Sequence, residues 1–190
     1  MLNAETFIAL LEENPVIPAA KDDATLELCL ATPSRIVYIL YGDLCSIAAI
    51  VDKVKSAGKI AIVHIDLIAG LGSKDICVDY IAHTVHADGI ISTKAPLIKR
   101  ANELGLFTIQ RFFMIDYITY ANITRHIKET KPDVVELMPA AVSKAIRYLC
   151  RETDRPVIAS GLILEKDDII GALDAGALGV STTNEKLWDV

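Results

Sequence analysis

Short apolar runs rich in β-branched residues alternate, along the whole chain, with stretches whose apolar positions recur at helical spacing. The runs predicted as strands are VIPAA (16–20), IVYILYG (36–42), KIAIVHID (59–66), GIIST (89–93), FTIQRFF (107–113), VVELMP (134–139), PVIASG (156–161) and GVSTT (179–183). Helical patterns cover 23–31, 44–57, 75–86, 95–104, 116–130, 141–151 and 165–175, and a short amphipathic helix opens the chain and stops before Pro15. Ala57-Gly58, Leu104-Gly105, Lys131-Pro132 and Ala175-Gly176 mark helix ends. Asp43, Ser73, Asp116 and Ser143 mark helix starts.

Strands that alternate with helices pair in parallel through right-handed crossovers, and eight of them close into a barrel. The predicted fold is therefore α/β: a small single-domain (β/α)₈ TIM barrel spanning residues 1–190. At 190 residues it falls below the usual range of roughly 200–250, so its loops must be short. An open doubly wound sheet fits less well, because no GxGxxG follows the first strand. The segment 87–94 also echoes 177–183, each a small-residue turn, a strand and a Ser-Thr end, half a barrel apart.

Composition agrees with this fold. Apolar residues make up 52% and mean hydropathy is +0.38, as expected for strands buried on both faces. No apolar stretch is long enough to span a membrane, and the acidic start lacks the basic region of a secretory signal, so a cytoplasmic location is expected. Four cysteines without metal-binding spacing read as buried, reduced thiols. A net charge of −6 argues against broad nucleic-acid binding but leaves room for a local basic face.

The chemistry gathers at the strand ends, which form the functional face of such barrels. After apolar runs come Tyr41-Gly42-Asp43, His64-Ile65-Asp66, Ser92-Thr93-Lys94, Gln110-Arg111, Glu136 to Pro139, Ser160-Gly161 and Ser181-Thr182-Thr183. Helix capping accounts for about half of the Ser, Thr and Asp, but not for His64, Lys94, Gln110, Arg111 or Glu136. The ends of strands seven and eight are a common phosphate site, which points to Ser160, Gly161, Ser181 and Thr182. Alternation places Ile62, His64 and Asp66 on one face, with His64 and Asp66 inward if Ile62 fills the barrel. Glu136 shares a face with Val134 and Met138 and needs a partner, for which Lys94 and Arg111 are nearest. Whether Gln110 or Arg111 points inward stays open. Phe112, Phe113 and Tyr117, the one close aromatic group, are expected to pack under the barrel rather than stack on bases.

Several strings in order, including HIDLIAGL (64–71), DGIISTK (88–94), TIQRFFMID (108–116), ELMPA (136–140), ASGLI (159–163) and VSTT (180–183) followed by LeuTrp, resemble the glycerol uptake operon antiterminator regulatory protein family over nearly the whole chain. The resemblance implies a barrel that binds glycerol 3-phosphate and acts on the leader mRNA of a glycerol-utilisation operon. It implies no cofactor, metal or turnover. By position the ligand mouth would comprise His64, Asp66, Lys94, Arg111, Glu136, Ser160, Gly161, Ser181 and Thr182. Ala140 and Ser160 stand where the family pattern expects glycine, and Tyr41 where it often has histidine.

Two other functions compete with this ligand-gated RNA-binding protein. One is an isomerase- or aldolase-type enzyme on a small phosphorylated substrate, which His64, Asp66, Lys94 and Glu136 could serve, although neither a DxKxxD nor an HxH pattern is present. The other is a sensor whose output is a protein partner. A stiff barrel would switch through its mouth loops or through the interface of a homo-oligomer.

Overall fold

A strand that is apolar on both faces needs cover inside and outside, and closure of the sheet provides both. In the computed structural model, which describes residues 2–189, eight parallel strands close in sequence order. They are β1 (Val16–Ala20), β2 (Ile36–Ile39), β3 (Ile60–His64), β4 (Gly89–Ser92), β5 (Phe107–Phe113), β6 (Val134–Met138), β7 (Val157–Ser160) and β8 (Gly179–Thr182). Alternate residues divide between two apolar clusters. Val16, Val37, Val63, Ile90, Val135 and Val180 face outward against the helices, while Ile17, Tyr38, Ile62, Ile91, Ile109 and Ile158 fill the barrel.

The helices are α1 (Ala4–Glu13), α2 (Asp23–Ala31), α3 (Ile47–Ser56), α4 (Asp75–Tyr80), α5 (Ala95–Glu103), α6 (Tyr117–Thr130), α7 (Ser143–Glu152) and α8 (Lys166–Asp174). They depart from the full (β/α)₈ repeat at its end, with seven helices between the eight strands, as the helical patterns along the sequence imply. Only α2 to α8 bridge successive strands, and β8 is followed by a 3₁₀ turn, Glu185–Leu187, instead of an outer helix. The remaining helix, α1, precedes β1 and closes the floor. Its Phe7 and Leu11 join the inner cluster, and the Phe7 ring stacks on Phe107 at 4.7 Å. This position explains the sequence echo: Gly89 and Gly179 begin strands at the floor. A Cβ on them would meet the carbonyl oxygens of Phe107 at 2.5 Å and Pro15 at 2.6 Å.

Several boundaries differ from expectation, with local causes. β2 ends at Ile39, and the chain bends through Gly42, whose φ of +106° belongs to the region favouring glycine. β3 ends at His64 because Ile65–Leu67 wind into a 3₁₀ turn. The predicted helix over 75–86 splits into α4 and a π-helical turn, Ile81–Val85. Asp116 caps α6 by accepting from the Thr119 amide at 2.8 Å, whereas Ser143 is the first residue of α7 and caps nothing. Of the cysteines only Cys29 is buried. Cys45 is exposed, Cys77 and Cys150 are half-buried, and all four are free thiols. Among the described residues, no helix is long and apolar enough to cross a membrane.

Candidate functional site

The inward parity of β5 follows from Phe107 and Ile109, so Arg111 enters the barrel and Gln110 faces α6. The Thr130 hydroxyl bonds the Gln110 side-chain oxygen, which confirms that outward orientation. On β6 the same parity carries Val134, Glu136 and Met138 inward, with Glu136 directly across the ladder from Arg111. The Arg111 Nε donates to Glu136 Oε2 at 2.6 Å, and the Ser181 hydroxyl donates to Glu136 Oε1 at 2.7 Å. Both carboxylate oxygens of a residue with no exposed surface are thus engaged.

Around this pair lie three buried polar atoms without a hydrogen-bond partner among the described residues: Tyr38 OH, His64 Nδ1 and Ser160 Oγ. Each such atom costs about 1–3 kcal/mol if left dry and unpaired. Their concentration at one end of one barrel is the arrangement of a binding site. Burial pushes the His64 imidazole down to about 4, and the Arg111 charge adds to the shift, against the opposing pull of Asp66 and Glu136. Burial, reinforced by Glu136 and eased by Arg111, holds the Tyr38 phenol well above its ordinary range. Both groups are therefore neutral near pH 7.

Above the pair opens a cavity of about 350 Å³, walled by the β7–α8 and β8 loops. Arg111, Met138, Ser160, Gly161, Ser181 and Thr182 line it. Gly161 has φ +73°, and a Cβ there would lie 2.6 Å from Met138 Cε, so glycine keeps the backbone at the cavity wall. The neighbouring loop is tied to it by the Ala140 amide, which reaches the Ser160 oxygen at 2.7 Å and the Gly161 oxygen at 3.0 Å. The Leu164 and Glu165 amides are occupied by Asp168, at 2.8 and 3.1 Å.

The structure brings together Arg111, Glu136, Ser160, Gly161 and Ser181, with His64 beside the charged pair. Two predicted residues, Asp66 and Lys94, take other positions, and a third, Thr182, stays at the cavity wall but turns its side chain away. Asp66 leaves the alternation of β3 because the 3₁₀ turn redirects it to the end of β4. There its carboxylate accepts from Ser92 Oγ at 2.9 Å, the Thr93 amide at 2.7 Å and Thr93 Oγ1 at 2.9 Å. Burial alone would raise that carboxyl, but these bonds outweigh it and hold it below the usual range. Lys94 sits on the rim, donating to Ser73 Oγ at 2.6 Å and lying 3.7 Å from Asp66, so it is not a partner of Glu136. Thr182 faces outward at the cavity edge, its hydroxyl accepting from the Asn184 amide at 3.1 Å while its carbonyl accepts from Trp188 Nε1 at 2.9 Å. Tyr38 was missed. The available signal was a lone tyrosine in an aliphatic strand, at the inward parity of Ile36. Tyr41 lies outside the pair and donates to Asp23 at 2.8 Å.

Residues 16–188 match the family described as the glycerol-3-phosphate responsive antiterminator. An uncharacterized protein of Escherichia coli strain K12, YgcP, is 38% identical over 182 residues, which cover 96% of this chain and 95% of that one. The crystal structure of a glycerol uptake operon antiterminator regulatory protein from Listeria monocytogenes str. 4b F2365 superposes with a TM-score of 0.89 at 31% identity, covering 92% of this chain and 95% of that one. A glycerol uptake operon antiterminator-related protein from Thermotoga maritima MSB8 gives 0.81 at 27% identity, over 91% and 96%.

Proposed function

The chain belongs to the glycerol-3-phosphate responsive antiterminator family, and on that premise we propose that the barrel mouth binds glycerol 3-phosphate and thereby controls binding to the leader mRNA of a glycerol-utilisation operon. The observation that carries this reading is the set of unpartnered Tyr38, His64 and Ser160 atoms around the Arg111–Glu136 pair, of which Arg111 and Ser160 line a cavity sized for a small ester. In the proposed complex the phosphoryl group lies against Ser160, the Gly161 backbone and Ser181. Arg111 supplies the positive charge from below. His64, Tyr38 and Glu136 face the glycerol hydroxyls, where neutral imidazole and phenol can each donate one hydrogen bond. Thr182 braces the phosphate loop, and Asp66 with Lys94 fixes the opposite rim. The output is regulatory, with no turnover.

Glycerol 3-phosphate is expected to raise the melting temperature by several degrees at saturating concentration, and glycerol or inorganic phosphate alone by much less. Equal shifts with all three would defeat the proposal, as would turnover of triose phosphates by the wild-type protein. Ser160→Ala distinguishes a binding role from a structural one. Removing an unpaired buried hydroxyl should leave the free protein as stable or slightly more so, while weakening the ligand about tenfold. Ser160→Asp should abolish the shift by placing a carboxylate at the anion position. A Ser160→Ala protein that loses stability yet keeps its full ligand shift would put the phosphate elsewhere.

A further inference from the structure

The groove between α6 and α7 is not used by the mouth. About 410 Å³ in volume, its lining includes Tyr117, Tyr120, Val142, Lys144 and Tyr148, with one acid, Asp116, whose carboxylate caps α6. The expectation that the aromatic group packs under the barrel is corrected here. Phe112 is buried, stacked on His126, but Phe113 is 47% exposed and Tyr117 is 79% exposed on the mouth side. The reason is the end of β5: Phe113 is its last residue, paired with Met138 at the rim, and Asp116 starts α6 in the open.

Three tyrosines form a line across this groove. The Tyr117 and Tyr120 rings lie 6.3 Å apart and are tilted by 40°, and the Tyr120 and Tyr148 rings lie 6.3 Å apart and are tilted by 57°. At those angles the rings do not stack on one another, which leaves faces free for a planar partner. Lys144 Nζ sits 5.6 Å from the centroid of Tyr148. The charge is equally local. The whole chain carries −6, yet Asp116 to Glu152, the two helices with the strand between them, holds six Lys or Arg against five Asp or Glu. Of those acids, Glu136 is inside the barrel, Asp133 is taken by the Thr108 amide and Asp116 by the Thr119 amide, leaving Glu129 and Glu152 on the surface. An exposed aromatic line flanked by cations is the arrangement that binds single-stranded nucleic acid, with bases on the rings and phosphates on the cations.

We propose that the α6–α7 face is a binding surface for single-stranded RNA, with Tyr117, Tyr120 and Tyr148 stacking on bases and Lys144, Arg147 and Arg151 pairing with phosphates. The proposal rests on the antiterminator reading and deepens it by naming the surface. The face is also the one most directly joined to the mouth. β5 carries Arg111 and runs into α6, and β6 carries Glu136 and runs into α7. A ligand that engages the Arg111–Glu136 pair therefore acts on the two strands that support the groove.

The test is filter binding of a short unstructured RNA oligonucleotide and of an RNA duplex of the same length, with and without glycerol 3-phosphate. Single-stranded RNA is expected to bind better than duplex. Tyr148→Ala and Tyr117→Ala should each weaken it about tenfold, whereas Tyr148→Phe, which keeps the ring, should bind like the wild type. Lys144→Gln should lower the slope of affinity against salt by about one phosphate contact. Wild-type binding that neither alanine variant alters would place the RNA on another face. Alanine variants that change the sedimentation of the free protein but not its RNA affinity would make the groove a protein interface instead. Absence of RNA binding by the wild type, with and without ligand, would overturn the antiterminator reading itself.

Discussion

Glu136→Ala is expected to cost about 3–5 kcal/mol of folding stability, read as a drop in the urea midpoint at constant slope. The cost comes from what remains rather than from what is removed. Arg111 is 8% exposed and its Nε has Glu136 as its acceptor, so the substitution leaves a guanidinium charge in the barrel with no counter-charge. The Ser181 hydroxyl loses its acceptor at the same time. Replacing both members of the pair separates stability from function. Arg111→Met with Glu136→Leu removes the unpaired charge and should recover most of the loss, because a well-packed apolar pair is often at least as stable as a buried ion pair. That double variant should show no melting shift with glycerol 3-phosphate. A Glu136→Ala protein within about 1 kcal/mol of the wild type would mean that water reaches Arg111 freely. A double variant that still responds to ligand would remove Arg111 and Glu136 from the proposed site.

The same pair shows how far the residues alone can lead. Its parity was readable: Val134, Glu136 and Met138 alternate with Val135 and Leu137, and the bulky aliphatic residues of every strand mark both faces. Its partner was not, because Gln110 and Arg111 sit side by side and Phe112-Phe113 after them put an aromatic ring on each face. The position of Phe107 against the floor helix, with Ile109 next on the same inner face, decides which of the two enters the barrel. Asp66 misled for a related reason. The alternation that places His64 inward extends two residues further on paper, but the chain leaves the strand one residue after His64, and no propensity in Ile65-Asp66-Leu67 announces it. The N-terminal helix was visible as an amphipathic segment. Its role as a floor depends on long-range contacts to Phe107, and so lies outside any local pattern. Signals repeated within a few residues were legible; signals made by closing the barrel were not.

Below neutral pH, stability is expected to fall in a window set by His64. Its imidazole titrates at about 4 in the folded protein against 6.5 in the unfolded chain. Between those values the unfolded chain binds a proton that the folded protein refuses, so stability rises with pH. The sign follows directly: the contribution is complete above about pH 6.5 and is lost as pH falls toward 4. Across the whole window it amounts to about 3 kcal/mol, of which about 2 kcal/mol is already gone at pH 5. Carboxylates held below their usual range, such as Asp66 and Asp116, add acid sensitivity only at lower pH and do not blur this limb. His64→Gln, neutral in both states, should therefore show nearly the same urea midpoint at pH 7 and pH 5, while the wild type loses much of its margin. An NMR titration of the His64 ring supplies a second reading that does not depend on the variant's stability, and it should show the ring neutral until pH approaches 4. A ring that protonates near 6.5 would mean that His64 is wet, and with it the floor of the mouth. His64 would then be a solvated, titrating imidazole at neutral pH and not the fixed neutral donor that the proposed contact with a ligand hydroxyl requires.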